Sequence, residues 1–308
     1  MQFNEYLKKC REGCNITQEQ LAHDLYVHNT DLFESIQMGT IGKWERGIAK
    51  PKVSKQSSII NYFQLRTGKS LPFLNDYPLE EIESLICKAG MNNLVGENKK
   101  YIYDFPSEMM SFDDITVSPI HSTEAMNSLI YNNMHIHMST THPYSQLSRE
   151  QFMEWALHPS NLFLFCEHKG TSLGIMFVLR VKPEIYNKLM NFEMKKSDIS
   201  SNDFASYDEM GSHILLSFFA MNTKASTLLF IRYYAHLITN QDNIKDVGGI
   251  GHLESGKKIA SNMNLKFQNS FIADDGTKIM SYGHSISHVL SSEYLCKMFL
   301  SKQDCPEE

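Results

Sequence analysis

The sequence predicts a multidomain fold in which an all-α region comes first and an α/β region with a mixed central sheet follows. Up to about residue 70, apolar residues recur at helical spacing between helix caps. From about residue 113, short β-like runs alternate with helical patterns, and Ile214 to Met221 (ILLSFFAM) is typical of a central strand. A chain of 308 residues is also long for one core. We therefore expect domains at 1–70 and 113–295, joined by a helix and linker at 71–112.

The helices of the first region are indicated by their caps and apolar spacing. A first helix is expected over Phe3 to Cys14 and a last one over Lys55 to Leu65. Thr17 to Gln20 (TQEQ) is a capping box that begins the second helix, because the Thr hydroxyl accepts an N–H of the first turn. Another helix is expected from Thr40 to Arg46, and Gly47 is expected to end it.

The motifs TQEQLA, TIGKWERG and KP occur in that order between Thr17 and Pro51. This order resembles the phage-repressor (XRE-type) helix-turn-helix family over roughly residues 3–65. The resemblance implies that the second helix of the pair enters a major groove of DNA. Between Val27 and Thr40 the chain carries HNTDLFESIQMG, which is several residues longer than the usual tight turn.

The same resemblance implies a set of DNA-binding residues. Gln18 is expected to touch a phosphate, whereas Thr40 and Lys43 are expected to face the groove. Glu45 is expected to form a structural ion pair with Arg11 of the first helix. The full DNA-binding set is Thr17, Gln18, Met38, Thr40, Lys43, Arg46, Lys50 and Lys52. The alternative is an ordinary helical hairpin with a solvated basic edge.

The charge distribution agrees with a DNA-binding first region. The whole chain has a formal net charge of −6, but residues 1–70 hold ten Lys and Arg against seven Asp and Glu. The first region is therefore mildly basic and the remainder is acidic. Because the excess is small, we expect DNA affinity to need a homodimer or a partner protein.

Composition argues against a membrane or secreted protein and against a metal centre. No run approaches the roughly 18–20 apolar residues of a membrane span, and MQFNEYLKKCREG lacks an apolar signal core. The six cysteines are scattered, and we expect reduced thiols in the cytoplasm. Cys10 and Cys14 lack further ligands at metal-binding spacing, and so do the histidines at 135, 137 and 142.

The second region has the element order strand, helix, helix, strand, strand, central strand, helix, strand, helix, strand. This order resembles the GNAT acyltransferase fold, as do the segments FLFCEHKGTSLGIMFVLRV and SGKKIASNMNLKF. The resemblance implies that the turn after the central strand holds the pyrophosphate of acetyl-CoA through bare backbone N–H groups. Here that turn is Asn222 to Thr227 (NTKAST), without the glycines, and a Cβ there hinders close approach of a phosphate.

The ligand-binding residues expected around this turn are Ala220, Asn222, Lys224, Ser226, Thr227 and Tyr233. Ser226 and Thr227 are expected to cap the following helix, and Lys224 is expected to help hold an anion. We assign no catalytic residue, and no cofactor beyond acetyl-CoA or a related acyl-CoA as an open alternative. Asp208, Glu209 and His213 lie beside the central strand, where a carboxylate would be placed as a general base, but surface charge is commoner there.

Two glycine-containing segments lack the context of a phosphate site. Thr67 to Ser70 (TGKS) has neither the first glycine nor the strand of a phosphate loop, so we interpret it as a helix end. Gly248 to Gly251 (GGIG) lacks G-x-G-x-x-G spacing and is interpreted as a flexible, bulged strand.

We therefore expect a cytoplasmic, sequence-specific transcriptional regulator that binds double-stranded DNA. Its degenerate GNAT-like domain is expected to bind a small-molecule effector, to dimerise, or both. One alternative is an active acyl-CoA-dependent N-acyltransferase with an appended DNA-binding domain. The other is an interaction protein whose helical domain docks on another protein.

Overall fold

The computed structural model describes residues 1–74, 77–86, 110–119, 147–252 and 254–299. The described chain forms two compact units. The first contains the N-terminal helices together with residues 234–242 and the residues from 286 on, and the second contains the remainder. The expected fold class, an all-α helix-turn-helix region followed by an α/β region with a mixed central sheet, is confirmed.

The N-terminal helices follow the expected order, with one addition. They are α1 Phe3–Gly13, α2 Gln18–His28, α3 Thr30–Phe33, α4 Met38–Glu45, α5 Val53–Thr67 and α6 Leu79–Leu85. The capping box is confirmed, because Thr17 Oγ1 accepts from the Gln20 N–H at 3.1 Å and Gln20 Oε1 accepts from the Thr17 N–H at 2.8 Å. Gly47 lies just beyond α4 with a φ of 71°, the left-handed conformation that favours glycine after a helix.

The long segment between α2 and α4 folds into the added helix α3. Asn29 caps it, since its side-chain oxygen accepts from the Leu32 N–H at 3.1 Å. Phe33, at the end of α3, is completely buried. The segment is therefore anchored in the helical core, which explains how the chain accommodates a connection longer than the usual tight turn.

Within the described residues, seven strands form one mixed sheet in the order β1-β2-β3-β4-β5-β7-β6. Only β4 and β5 pair in parallel. The strands are β1 Thr116–Pro119, β2 Leu162–His168, β3 Thr171–Val181, β4 Gly211–Ala220, β5 Ile244–Gly251, β6 Lys266–Ile272 and β7 Lys278–Ser285. The helices of this region are α7 Arg149–Leu157, α8 Pro183–Met190, α9 Thr223–Thr239 and α10 Glu254–Asn262.

The central strand expected over Ile214 to Met221 is confirmed as β4, which spans Gly211–Ala220. Lys169 and Gly170 form the turn between β2 and β3, both with positive φ. Strand β6 has an irregular register between Phe267 and Asn269. The helix expected from Ser226 begins earlier, at Thr223.

The glycine run of β5 is a packing feature rather than a bulge. A Cβ on Gly248 would lie 2.6 Å from the Tyr186 hydroxyl, and one on Gly283 of β7 would lie 2.2 Å from it. Tyr186 Oη donates to the Val247 carbonyl at 3.2 Å. The register irregularity between β4 and β5 lies before Val247, so Gly248 makes room for Tyr186 within a paired strand.

Two C-terminal helices that the sequence did not predict belong to the first unit. They are α11 Ile286–Leu290 and α12 Glu293–Phe299. Val289, Leu290 and Leu295 are completely buried. These helices pack on α5. The histidines at 135, 137 and 142, which were considered as metal ligands, lie outside the described residues.

Candidate nucleic-acid interface and candidate ligand site

Helix α4 separates an apolar face from an exposed face. Ile41 is fully buried and Trp44 is 6 % exposed, so these two side chains hold the helix on the bundle. Met38 is 54 % exposed, and Lys43 and Arg46 are also exposed. Met38, Lys43 and the C-cap residue Arg46 therefore face solvent, whereas Thr40 is only partly exposed.

Glu45 connects α4 to α1 and α2. Its carboxylate accepts from Arg11 Nε at 2.6 Å and Nη2 at 3.2 Å, which confirms the expected Arg11–Glu45 pair. Hydrogen bonding to Glu45 raises the pKa of Arg11. The Glu45 side chain is only 5 % exposed, so this two-point ion pair fixes the end of α4 rather than offering a charge to a ligand.

The start of α2 lies against the middle of α4. Gln18 Nε2 donates to Glu45 Oε2 at 2.7 Å. A Cβ on Gly42 would lie 3.0 Å from Gln18 Oε1 and 3.6 Å from Arg46 Nη1. The structure therefore brings Gln18 next to Arg46, as the DNA-binding set requires, but the Gln18 amide is bonded to Glu45. Its expected phosphate contact stays a prediction.

Lys43 and Arg46 have no acidic partner in the described part of the chain, whereas Arg11 of the same bundle is paired. Lys50 and Lys52 are exposed in the turn between α4 and α5, and Thr17 is exposed at the start of α2. Ile48, which sequence reasoning missed, is 67 % exposed beside them. Its N–H donates to the Lys43 carbonyl at 3.0 Å, so it belongs to the same turn.

The turn after β4 is closed by its own residues. Asn222 Oδ1 accepts from the Ala225 N–H at 2.8 Å, so Asn222 is the cap of α9. The expectation that Ser226 and Thr227 cap the helix is wrong, because both lie inside its first turns and are 1 % exposed. A backbone donor that would face an anion at this helix end is therefore already used by Asn222.

Lys224 is held by a neighbouring segment rather than presented to a ligand. Its ammonium donates to the Met110 carbonyl oxygen and lies 5.5 Å from the centre of the Phe112 ring. Sequence reasoning missed both partners because they lie more than 100 residues away in the chain. The only cation in the NTKAST turn is thus engaged within the protein.

Two buried polar atoms beside this turn have no hydrogen-bond partner in the described structure. They are Asn222 Nδ2 and Ser226 Oγ, on residues that are 2 % and 1 % exposed. Nearby, pairing between β4 and β5 ends at Leu215 and Gly249, although β4 continues to Ala220. An amide donor and a hydroxyl suit one small acceptor group, whereas a pyrophosphate needs several backbone donors and a cation. The residues therefore do not fit the pyrophosphate of an acyl-CoA.

The other expected ligand residues are buried. Ala220 and Tyr233 are completely buried, and the Tyr233 ring stacks on His213 with centroids 6.1 Å apart. Glu209 Oε1 accepts from the Ser206 N–H at 2.8 Å in an exposed turn, so this carboxylate stabilises a loop. Across the residues with described placement, no three His, Cys, Asp or Glu side chains cluster as a metal set. No helix in this part of the chain is long and apolar enough to span a bilayer.

Comparisons with known proteins give different relatives for the N-terminal third and for the rest of the chain. No family model matches the chain. Over 105 residues it is 40 % identical to the HTH-type transcriptional activator BcrR of Enterococcus faecalis, a match that covers 34 % of this chain and 42 % of that protein. The chain is therefore similar to a transcriptional regulator over its N-terminal third, and it spans less than half the length of that relative.

Solved acyltransferase structures resemble the chain only distantly. An aminoglycoside N(6')-acetyltransferase from Legionella pneumophila has a TM-score of 0.36 and 9 % identity, covering 59 % of this chain and 97 % of its own. FeeM, an N-acyl amino acid synthase from uncultured soil microbes, has a TM-score of 0.40 and 7 % identity, covering 61 % and 97 %. An N-acetyltransferase from Staphylococcus aureus has a TM-score of 0.37 and 14 % identity, covering 56 % and 98 %.

Proposed function

We propose that the chain is a sequence-specific, DNA-binding transcriptional regulator of the cytoplasm. The observation that carries this proposal is the exposed side of α4, where Lys43 and Arg46 lie without an acidic partner among the described residues. Exposed cations on a helix whose opposite face is packed on the protein core are suited to bind a phosphate backbone. The similarity of the N-terminal third to a transcriptional activator supports the same function.

In the proposed complex, α4 lies in a major groove. Met38 and Thr40, near the N-terminal end of the helix, reach base edges, and an apolar side chain such as Met38 suits a thymine methyl. Lys50, Lys52 and Thr17 contact phosphates and set the register. A homodimer presents two copies of α4 about one turn of DNA apart, which compensates for the small basic excess of the region.

The second unit is proposed to bind a small-molecule effector, to dimerise, or both. Support for a ligand comes from Asn222 Nδ2 and Ser226 Oγ, which are buried and unbonded in the described structure beside the start of α9. Buried polar atoms of this kind are normally satisfied by water or by a ligand. Acyl transfer from an acyl-CoA has less support, since Asn222 occupies the Ala225 N–H and Lys224 is bonded to Met110.

The test is duplex binding by the full chain and by Lys43→Ala plus Arg46→Ala. Duplexes are first selected from a randomised pool with the wild-type protein. We expect the double variant to bind at least about 10-fold more weakly, and the slope of log affinity against log salt to fall by roughly one for each lost phosphate contact. If the double variant lost affinity for the selected duplex but not for duplexes of other sequence, the two side chains would contact bases.

A charge-matched control is Lys188→Ala plus Lys278→Ala, which removes two exposed cations from the second unit. It should bind the selected duplex as the wild type does. The proposal fails if the wild-type chain shows no saturable, salt-dependent binding to any duplex, or if both double variants lose affinity equally. In the first case, docking of the helical unit on another protein becomes the better explanation of its exposed face.

A further inference from the structure

The helical unit that carries α4 contains residues from near both ends of the described chain. Helices α11 and α12 pack on α5, and Leu290, Leu295 and Cys296 are completely buried. α5 is correspondingly buried around most of its circumference, including the polar side chains of Gln56 and Gln64. Without the C-terminal helices, part of the α5 surface would be exposed to water.

Hydrogen bonds between residues more than 200 positions apart hold the C-terminal helices on α5. Gln64 Nε2 donates to the Ser287 carbonyl at 2.7 Å and to the Ser70 carbonyl at 2.5 Å. Ser57 Oγ donates to the Ser291 carbonyl at 2.5 Å, and the hydroxyls of Ser70 and Ser287 are 2.9 Å apart. We call these contacts the C-terminal seam. A buried carbonyl that loses its donor here is left unsatisfied.

The opposite side of α5 holds the helix pair. Tyr62 Oη donates to Asp24 Oδ2 of α2 at 2.7 Å, and Arg66 Nη1 lies 3.2 Å from the same oxygen. Helix α2 in turn reaches α4 through Gln18 and Glu45. Side-chain hydrogen bonds therefore connect the seam to α5, α5 to α2, and α2 to α4.

We propose that residues 286–299 are a positioning element for the DNA-binding helices, so that DNA affinity depends on the C-terminal seam. This inference rests on the proposed DNA-binding function and goes beyond it, because none of the seam residues lies on the exposed side of α4 and residues 286–299 are far from it in sequence. Gln64, Ser57 and Ser287 act through α5 and make no contact with DNA themselves.

The experiment compares Gln64→Met with Leu65→Ala in the full chain. Gln64→Met keeps the side-chain length and removes both seam hydrogen bonds, whereas Leu65 is 73 % exposed on the same helix. Each protein is titrated with the duplex selected by the wild type, at a temperature where circular dichroism shows it fully folded. Hydrogen–deuterium exchange of the α2 and α4 amides is measured under the same conditions.

We expect Gln64→Met to weaken duplex binding at least 5-fold and to speed exchange in α2 and α4, while Leu65→Ala changes neither. Ser57→Ala, which removes one seam bond, should weaken binding less. A Gln64→Met protein that melts earlier yet binds within twofold of wild type would overturn the inference and make the seam purely structural. If the wild type itself binds no duplex, the proposed function fails instead.

Discussion

The two units place their positive charge differently. In the first unit, Lys43 and Arg46 project into solvent without an acidic partner in the described structure. In the second, Arg180 is 1 % exposed and Lys196 is 5 % exposed. Arg180 donates to three backbone carbonyls, and Lys224 is bonded to Met110. Lys43 and Arg46 of the first unit are therefore open to solvent, whereas Arg180 and Lys224 of the second unit stabilise internal segments.

This difference shows why the net charge of a region is a weak guide to what it binds. The first region has a small basic excess, yet Lys43 and Arg46, which have no acidic partner among the described residues, lie close together at the end of α4. A helix end in the second unit resembles an anion site in sequence, but its cap and its cation are already used. What decides binding is which charges remain available to solvent.

The largest expected effect comes from removing the Glu45 carboxylate, which binds α4 to α1 and α2. Glu45→Ala should lower the free energy of unfolding by about 3 kcal/mol, because Arg11 and Gln18 both lose the nearly buried carboxylate that accepts their hydrogen bonds. Duplex binding should fall with it, since the end of α4 is released. Chemical denaturation measures the first effect. Glu12→Ala is the control: its side chain is 54 % exposed, and we expect a loss below about 0.5 kcal/mol. Equal losses in the two variants would contradict the role of Glu45.

The buried cation of the second unit gives the next largest effect. The Lys196 ammonium has no hydrogen bond or ion pair in the described structure, and burial lowers its pKa to about 8. The folded state therefore releases this proton at lower pH than the unfolded state, so stability should increase as the pH rises from about 8 to about 10.5. Below pH 8, Lys196→Met should stabilise the chain by up to roughly 3 kcal/mol.

The measurement for Lys196 is the free energy of unfolding of both proteins across this pH range. Their difference should shrink as pH rises, because the wild type loses the cost of burying a charge. The buried thiols titrate in both proteins and cancel in the difference. Lys195→Met, which changes an exposed neighbour, should show no such pH dependence. A constant difference between wild type and Lys196→Met would mean that the ammonium is solvated.

The smallest effect concerns the turn before α9. Asn222→Ala should cost about 1 kcal/mol of stability, because the Ala225 N–H loses its cap, whereas Asn222→Ser should retain most of it. Thermal melts measure this difference. If Asn222 blocks anion binding as we infer, inorganic phosphate should stabilise Asn222→Ala more than the wild type. If phosphate raised the melting temperatures of the wild type and Asn222→Ala equally, Asn222 would not be what blocks an anion at the start of α9.

Local chemistry explains what the sequence predicted correctly. The Thr17 capping box depends on residues within a few positions of one another, and the order of helices and strands follows from apolar periodicity. The pair between Arg11 and Glu45 came from the family resemblance and is confirmed. These features need no knowledge of distant contacts.

What the sequence could not predict depends on partners far along the chain. Lys224 was expected to hold an anion, but it meets Met110, 114 residues away. Helices α11 and α12 gave no distinct signal, and their place on α5 is defined by contacts more than 200 residues apart. The capping residue of α9 was also misplaced, because Ser226 and Thr227 suit a cap as well as Asn222 does and only the fold decides between them.

The distance between Ser57 and Ser291 has a consequence for synthesis. The two residues are hydrogen-bonded but 234 positions apart. At elongation rates of about 5–20 residues per second, a ribosome adds Ser291 roughly 10–50 s after Ser57. During that interval the nascent chain already contains every residue of α4, but the helices α11 and α12 that pack on α5 have not been synthesised. If DNA affinity depends on the C-terminal seam as proposed, a nascent chain that has not yet reached Ser291 would bind DNA weakly.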